Sequence, residues 1–301
     1  MPAQFSHVLN VIAGPRAIAE GTARGIHDAC SNAARTAAID WLAPSRAFDI
    51  AFDGDPDAVQ AGLRQSVQDD WLLDLNILPL ENRRKHLLVA DMDSTIIGCE
   101  CIDELADMAG LKPQVAAITE RAMRGELDFP CALRERVALL KGLPLEALAR
   151  VYAERVRLNP GARTLTTTMR AHGAHTLLVS GGFTYFTTRV SEDAGFEEQQ
   201  GNRLLDDGKL LTGKVAEPIL GREAKLRALE NGVVRFGLAL SDTLAVGDGA
   251  NDLDMIKRAG LGVAYHAKPV VAAAAKTSIA HGDLTALLYL QGYRATEIQR
   301  P

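Results

Sequence analysis

LLVADMDSTII, at residues 87–97, joins a short apolar run to two acids and two hydroxyl side chains. The apolar run has the character of a buried β-strand. On an extended backbone, residues i and i+2 point to the same face, so Asp91 and Asp93 leave the strand end side by side. Paired carboxylates that face one crevice indicate a bound cation.

The acid pair has three interpretations: a calcium loop, a magnesium site in which one carboxylate is also a nucleophile, or a structural pair of turn-forming aspartates. An EF-hand loop needs glycine at its sixth position and an acid at its twelfth, where this chain has Ile96 and Ile102. The calcium interpretation is therefore disfavoured. The other two stay open on this stretch alone.

The same arrangement recurs twice downstream. Residues 176–179 are an apolar run that ends in SGG at 180–182, and residues 243–246 are another that ends in GDGAND at 247–252. Apolar runs of this length, separated by helical stretches, predict parallel strands buried on both faces. In open parallel sheets the ligand binds beyond the carboxyl ends of the strands, so we expect the three polar segments to converge.

The residue types indicate the chemistry of this expected site. Asp91, Asp93, Asp248 and Asp252 offer hard oxygen ligands, of which Mg²⁺ takes only a few while it keeps water and substrate oxygens. A phosphate dianion beside these acids needs positive charge, and Lys225 is the natural source. The sequence therefore predicts an acidic Mg²⁺ site that receives a phosphate.

Ser180 and the backbone N–H groups of Gly181 and Gly182 are expected to hold phosphate oxygens, because N–H groups at a turn form an anion-binding nest. Each segment alone has an ordinary alternative. The Ser-Gly-Gly stretch could be a simple turn, and Lys225 a solvated helix lysine. Their occurrence together, in this order after three strands, favours one shared site.

These motifs together resemble those of the haloacid dehalogenase superfamily of phosphohydrolases, and within it the phosphoserine phosphatases. The core motifs define only the superfamily, whereas Glu100 and Arg136 point to the subgroup. The resemblance implies an α/β fold: a Rossmann-like parallel sheet with a small helical cap. It also implies a phosphoric monoester hydrolase that converts O-phosphoserine to serine and inorganic phosphate, as the last step of serine biosynthesis.

By resemblance, Asp91 would be the nucleophile that forms an aspartyl-phosphate, and Asp93 the general acid and base. Mg²⁺ would be held by the Asp91 carboxylate, the Asp93 backbone carbonyl and Asp248. Two acids beside a metal need not share a pKa, so the one whose side chain does not coordinate the metal can stay protonated.

The phosphate group would be bound by Ser180, Gly181, Lys225 and Asn251, again by resemblance. Asp252 would support the metal site and the phosphate-binding lysine. The expected partner is therefore a small-molecule substrate, O-phosphoserine.

The cap is expected between the first and second core strands, at residues 98–159, where the stretches 102–109 and 133–140 have helical periodicity. By resemblance, Glu100 would bind the substrate ammonium, and Arg136 its carboxylate through a guanidinium fork. Met123 and Phe129 would shield the pocket. Taken singly, these four have ordinary alternatives as surface or core residues, and Arg134 competes with Arg136 for the carboxylate.

Three domains are expected. Residues 1–80 form an N-terminal ferredoxin-like domain, residues 81–97 with 160–301 form the catalytic core, and residues 98–159 form the cap. The N-terminal pattern predicts a βαββαβ order, with strands at 7–13, 37–41, 47–52 and 73–78 and helices at 16–30 and 57–69.

This N-terminal unit resembles the small ACT-type regulatory domains that precede many bacterial phosphoserine phosphatases. Two interpretations of its role stay open. It either binds an amino acid, or it is a packing or dimerisation module without a ligand. A homodimer is one assembly that the resemblance allows.

Length and composition limit the class of protein. A chain of 301 residues with 47% apolar side chains has ample material for a buried core. A formal charge of −5 without a long basic block argues against a nucleic-acid partner. Apolar runs shorter than the roughly 18 residues of a membrane span, and the absence of a signal-like segment in residues 1–14, predict a cytoplasmic protein with no membrane partner.

The four cysteines, Cys30, Cys99, Cys101 and Cys131, are too few for a disulfide framework. Cys99 and Cys101 could hold a soft metal, but a second Cys or His pair is missing. Free thiols in a reducing cytosol are the favoured interpretation.

Three functions remain to be distinguished. The first is a Mg²⁺-dependent phosphoserine phosphatase. The second is a phosphatase or phosphotransferase of the same fold that acts on another small phosphate. The third is a non-catalytic amino-acid sensor, which the presence of both Asp91 and Asp93 argues against, because a sensor has no need of them.

Overall fold

The computed structural model describes residues 5–67, 71–124 and 126–300. Its N-terminal part is an antiparallel sheet with two helices. In chain order, its elements are β1 His7–Ala13, α1 Glu20–Ala33, β2 Arg35–Thr36, β3 Asp40–Ala43, β4 Ala47–Asp53, α2 Pro56–Ser66 and β5 Leu73–Pro79. β1 lies between β4 and β5, and β3 pairs with β4. This order is compatible with the predicted ferredoxin-like, ACT-type unit.

Some predicted N-terminal bounds are wrong. The first helix begins at Glu20 instead of residue 16, because the Ile18 N–H donates to the Ser45 carbonyl at 2.8 Å and holds the preceding segment extended. The strand predicted at 37–41 is wrong in its bounds: only residues 40 and 41 are in a strand, β3, which continues to Ala43. The second helix ends at Ser66, and residues 68–69 of its predicted range lie outside the described residues.

The remaining elements build the core and its insertion. In chain order they are β6 Leu87–Ala90, α3 Cys101–Met108, α4 Lys112–Met123, α5 Phe129–Leu139, α6 Leu145–Arg155, α7 Ala162–Ala171, β7 His175–Phe183, α8 Thr184–Ala194, β8 Glu198–Asn202, β9 Leu204–Asp206, β10 Leu211–Val215, α9 Arg222–Phe236, β11 Thr243–Gly247, α10 Leu253–Arg258, β12 Leu261–Tyr265, α11 Pro269–Ala274, β13 Thr277–Ile279 and α12 Ala286–Leu290.

Six of these strands form one parallel sheet in the order β13-β12-β11-β6-β7-β8. The predicted architecture, an α/β fold built on a parallel sheet, is confirmed. β6 lies in the middle, between β7 and β11, so the three predicted polar segments follow three adjacent strands. Among the described residues, no helix has both the length and the apolar character needed to cross a bilayer.

Burial on both faces explains why β6 is apolar at every position. Leu87 and Val89 pack with α9 on one face, whereas Leu88 and Ala90 belong to the larger cluster on the other face. All four side chains are fully buried. Helices cover both faces of a parallel sheet, so its central strands lack the alternating polar positions of a half-exposed strand.

Helices α3 to α6, which precede α7 in the chain between β6 and β7, lie in the region predicted as the cap. The β9–β10 hairpin from the later part of the chain packs against α5. The Gly142 N–H donates to the Leu211 carbonyl at 2.8 Å, and the Leu211 N–H donates to the Leu143 carbonyl at 2.9 Å. The cap therefore has a hydrogen-bonded support outside residues 98–159, and the predicted domain boundaries stay a prediction.

The N-terminal sheet lies against the edge of the core sheet through buried polar groups. The Asn76 side chain exchanges two hydrogen bonds of 3.0 Å with the backbone of Ser278, the middle residue of β13. The Asp74 carboxylate accepts from the N–H groups of Ala280 and Gly282, both at 2.7 Å. Because these groups are withdrawn from water, their pairing specifies how the two sheets meet.

Candidate active site

The predicted polar segments meet at the carboxyl edge of the parallel sheet. Asp91 follows β6 directly, Ser180 lies near the end of β7, and Asp248 follows β11 directly. Lys225, the fourth residue of α9, reaches the same point. Adjacent parallel strands end at the same edge, so local sequence order and sheet order together produce this convergence.

Lys225 is a buried cation held between two carboxylates. Its Nζ lies 2.6 Å from Asp91 Oδ1 and 2.6 Å from Asp252 Oδ1. Burial lowers the pKa of Lys225, but the charges and hydrogen bonds of Asp252 and Asp91 outweigh this and leave the pKa above its usual value. Asp252 is fully buried, and its Oδ2 accepts from the Gly249 N–H at 3.0 Å. Lys225 therefore stays protonated and orients Asp91.

Three acids surround this lysine. Asp91, Asp248 and Asp252 each place a carboxylate oxygen within 4.8 Å of the others. Burial first, and the negative charge of Asp252 second, raise the pKa of both Asp91 and Asp248. One lysine does not offset three carboxylates, so a divalent cation with a preference for oxygen ligands fits the site.

Asp93 is turned away from this cluster. Its Oδ1 accepts from the Cys101 N–H at 2.9 Å, and its Oδ2 accepts from the Ser180 hydroxyl at 3.1 Å. Burial raises the pKa of Asp93, although these hydrogen bonds partly counteract the effect. A Cβ at Gly182 would lie 2.7 Å from Asp93 Oδ2, so only glycine permits this approach. Asp91 and Asp93 thus have different surroundings. Asp91 is paired with the charged Lys225, whereas Asp93 accepts hydrogen bonds from uncharged groups.

A tight turn after Asp93 directs the next side chains into the cleft. Ser94 has a left-handed φ of 58°, a conformation that costs a non-glycine residue about 1–2 kcal/mol. The Ser94 hydroxyl donates to Glu100 Oε1 at 2.7 Å. Glu100 borders the open cleft, and loss of surrounding water together with the charge of Asp93 raises its pKa to about 7.

The Ser-Gly-Gly segment differs from the predicted turn. β7 continues through it to Phe183, with a shift in its pairing to β8 between Val179 and Phe183. The Gly182 N–H donates to the Ser180 hydroxyl oxygen at 2.8 Å, so the predicted nest does not have this N–H free for phosphate. The irregular strand end places Ser180 and Gly181 at the cleft.

Phe129 of the cap rests on two core glycines. A Cβ at Gly181 would lie 2.9 Å from Phe129 Cζ, and one at Gly221 would lie 3.0 Å from Cδ1. Nearby, Arg134 donates to Glu217 at 2.6 Å, an exposed ion pair between α5 and the core. The side chain of the other predicted shielding residue, Met123, lies outside the described residues.

Arg136 and Arg134 differ in their surroundings. Arg134 is exposed and forms an ion pair with Glu217. Arg136 is half-buried, and its Nε donates to the Ala132 carbonyl at 3.3 Å. Burial lowers the pKa of Arg136, an effect opposed by the charges of Asp103, Glu100 and Asp93. Of the two arginines, Arg136 is the one that faces the acidic cleft.

Asn251 lies at the exposed rim of the cleft. Its Oδ1 is so close to Gly249 that a Cβ at that glycine would lie only 2.2 Å away.

Three groups at the site were not predicted from the sequence: the Cys101 N–H, the Thr95 hydroxyl and the Asn202 amide. The Thr95 hydroxyl lies 3.4 Å from Asp248 Oδ1. Asn202 has little signal in the sequence, because Gly201-Asn202 is typical of a turn and only the fold shows that the amide is buried. The Cys101 N–H has no signal in the sequence, because every residue except proline carries one.

Comparisons with known proteins agree with this geometry. Residues 88–257 match the family of haloacid dehalogenase-like hydrolases. A phosphoserine phosphatase of Polaromonas sp. is 47% identical over 209 residues, which cover 68% of this chain and 89% of the relative. The structure of a phospho-aspartyl intermediate analogue of phosphoserine phosphatase has a TM-score of 0.62 and 40% identity, and covers 68% of this chain and 98% of that one.

A further structural likeness includes the N-terminal unit. The unliganded crystal structure of a probable phosphoserine phosphatase from Vibrio cholerae has a TM-score of 0.78 and 32% identity. The match covers 98% of this chain and 88% of that one, so it extends across both sheets. With the family match and these relatives, the chain belongs to the haloacid dehalogenase-like hydrolases, in the group of phosphoserine phosphatases.

Proposed function

We propose that the chain hydrolyses O-phospho-L-serine to L-serine and inorganic phosphate through an aspartyl-phosphate, with Mg²⁺, as the last step of serine biosynthesis. The observation that carries the proposal is the Asp91 carboxylate, held 2.6 Å from buried Lys225 in a cluster with Asp248 and Asp252. The relatives named phosphoserine phosphatase support the choice of substrate.

In the first half-reaction, an Asp91 oxygen attacks phosphorus and the bond from phosphorus to the serine oxygen breaks. Asp93 gives its proton to that oxygen, and serine leaves. Its surroundings support this role, because the Asp93 carboxyl accepts hydrogen bonds from uncharged groups and is not paired with Lys225 as Asp91 is. The Ser180 hydroxyl and the Cys101 N–H hold the Asp93 carboxyl in position for the transfer.

In the second half-reaction, Asp93 takes a proton from water while the water oxygen attacks phosphorus. The bond from phosphorus to Asp91 then breaks and inorganic phosphate is released. One residue thus serves as acid and then as base. Lys225 supports both halves, because it keeps Asp91 oriented and supplies positive charge beside the phosphoryl oxygens.

Ser180, Gly181, Lys225 and Asn251 are proposed to bind the phosphoryl group. Mg²⁺ would be held by Asp91, the Asp93 backbone carbonyl and Asp248, and when bound it would offset negative charge on the phosphoryl oxygens. Asp252 keeps a supporting role, since both of its oxygens already bind Lys225 and Gly249.

Glu100 and Arg136 are proposed to select the amino-acid part of the substrate. The Glu100 carboxylate would bind the ammonium group, and the Arg136 guanidinium would bind the carboxylate in a bidentate pair. Phe129 and Met123 would exclude water above the phosphoryl group. The opposite charges of Glu100 and Arg136 match the two charges of an amino acid.

Arg136→Ala is expected to weaken phosphoserine hydrolysis selectively. We expect kcat/KM on O-phospho-L-serine to fall about 100-fold, since a charged hydrogen-bond pair is lost, while p-nitrophenyl phosphate keeps its rate within about twofold. Steady-state phosphate release from both substrates measures the ratio. Arg134→Ala is the matched control on the same helix, and it should change both substrates alike. Equal losses on the two substrates in Arg136→Ala would return Arg136 to a structural role.

Phosphate release from a panel of small phosphomonoesters tests the proposed function itself. We expect O-phospho-L-serine to give the highest kcat/KM of the panel, and chelation of Mg²⁺ by EDTA to abolish release until Mg²⁺ is restored. Preference for a phosphate without an amino-acid group would favour another phosphatase of this fold. Amino-acid binding without any phosphate release would favour a sensor.

The role of the N-terminal unit remains a proposal: it either binds an amino acid or is a packing or dimerisation module. The domain boundaries after residues 80, 97 and 159 remain proposals as well. The homodimer is proposed from the resemblance, and the cytoplasmic location from the sequence pattern. Size-exclusion chromatography with light scattering measures the oligomeric state directly, and isothermal calorimetry with L-serine measures binding to the chain.

A further inference from the structure

Asn202, the last residue of β8, is a buried amide at the same sheet edge as the proposed phosphate site. Its side chain is only 2% exposed. Its Nδ2 donates to the Gly181 carbonyl at 2.8 Å and to the Leu220 carbonyl at 3.0 Å, and its Oδ1 accepts from the Leu220 N–H at 2.8 Å. One side chain thus binds two separate backbone segments.

Both segments border the phosphate site. Gly181 follows Ser180, whose hydroxyl binds Asp93. Leu220 lies two residues before the first residue of α9, the helix that carries Lys225. The Asn202 amide therefore connects the strand end that carries Ser180 to the loop that leads to Lys225.

The two segments also form the surface on which the cap rests. The Phe129 ring contacts Gly181 on one segment and Gly221, next to Leu220, on the other. A change in the separation of the two segments would move both glycines relative to the Phe129 ring. The hydrogen bonds of the Asn202 side chain thus affect both the phosphate contacts and closure of the cap.

The chemistry of this position requires an amide. An asparagine side chain has two N–H donors and an acceptor oxygen, and here both kinds of group are used. An aspartate would retain an acceptor for the Leu220 N–H. It would place negative charge against the carbonyl oxygens of Gly181 and Leu220, which would lose their donor.

We propose that Asn202 is a positioning residue for the phosphoryl group: it sets the separation between the Ser180–Gly181 strand end and the loop before Lys225. It acts through Gly181 and Leu220 and does not touch the substrate. The inference rests on the proposed function, since it adds a residue to the same site.

Asn202→Asp and Asn202→Ser test the proposal, with Gln200→Ala, an exposed position on the same strand, as the matched control. We expect kcat/KM on O-phospho-L-serine to fall about 100-fold in Asn202→Asp, since small displacements of positioning groups cost rates of this order. The inhibition constant of inorganic phosphate should rise about 10-fold, because the contacts to phosphate are displaced as well. Gln200→Ala should retain wild-type values.

Rates and inhibition constants are normalised to the folded fraction, which circular dichroism measures at the assay temperature. A variant that melts earlier but keeps wild-type values per folded molecule would overturn the proposal, since Asn202 would then serve the fold alone. Failure of both variants to fold would overturn it in the same way. A loss confined to kcat, with phosphate inhibition unchanged, would also contradict it.

The same measurements separate this inference from the proposed function. If wild-type protein prefers another phosphomonoester to O-phospho-L-serine, the proposed substrate is wrong. The role of Asn202 is then measured on the preferred phosphomonoester and on inhibition by inorganic phosphate. Inhibition by inorganic phosphate depends on the phosphoryl group alone, so it tests Asn202 whichever phosphomonoester is the substrate.

Discussion

Asp91→Asn should abolish turnover, with kcat lowered about 10⁴- to 10⁶-fold, the range found when a nucleophile is removed. The amide nitrogen and oxygen of asparagine are too weakly nucleophilic to form the phosphoryl intermediate. Phosphate release from O-phospho-L-serine measures the rate. Acid quenching with radiolabelled substrate measures the phosphoenzyme, which should be absent from the variant.

The folded protein should tolerate this substitution. Burial and the charge of Asp252 already raise the pKa of Asp91, so its negative charge is unfavourable where it stands. A neutral side chain of the same shape removes that charge and can still accept from Lys225. We therefore expect a melting temperature close to that of the wild type.

Asp28→Asn, at an exposed position on α1, is the matched control and should keep full activity. Residual hydrolysis by Asp91→Asn above a few per cent, once deamidation back to aspartate has been excluded by mass spectrometry, would remove Asp91 from the role of nucleophile. Phosphoenzyme detected in the variant would do the same and would direct attention to another acid of the cluster.

Lys225→Met should reduce both stability and activity. The substitution keeps an unbranched side chain but leaves Asp91 and Asp252 buried side by side without their cation. Removal of one partner from a buried ion pair costs about 3–5 kcal/mol of unfolding free energy. Loss of positive charge beside the phosphoryl oxygens should lower kcat/KM about 100- to 1000-fold. Urea denaturation and phosphate release measure the two effects.

A second substitution distinguishes the ion pair from simple packing. Lys225→Met combined with Asp252→Asn should regain part of the lost stability, because one of the two unpaired buried charges is removed as well. Activity should not return, since the lysine is still missing. Lys257→Met, at an exposed position on α10, should be silent. An unchanged denaturation midpoint in Lys225→Met would contradict the buried pairing.

The core strands were readable from the sequence because burial on both faces leaves an uninterrupted apolar run. The predicted run at 243–246 became β11, which includes one further residue, Gly247. The run at 176–179 became β7, but the strand continues through the glycines to Phe183. Glycine usually indicates a turn, and here the pairing with β8, a distant segment, extends the strand instead.

Within the site, residue types predicted a metal and phosphate chemistry but not the partners of each group. Asp91, Asp93 and Asp252 are alike in the sequence. In the fold, Asp252 is bound to Lys225 and Gly249, while Asp93 is turned toward Ser180 and Cys101. These pairings depend on which segments the sheet brings together.

Local patterns were sufficient for the strands, for the parallel arrangement and for the acids at the strand ends, because hydrophobic periodicity and turn chemistry act over a few residues. Contacts between distant segments were not accessible in this way. Asp74 binds Gly282 across 208 residues, and Asn202 binds Leu220 across 18. Such bonds form only after packing has excluded water from both partners, so the folded chain alone specifies them.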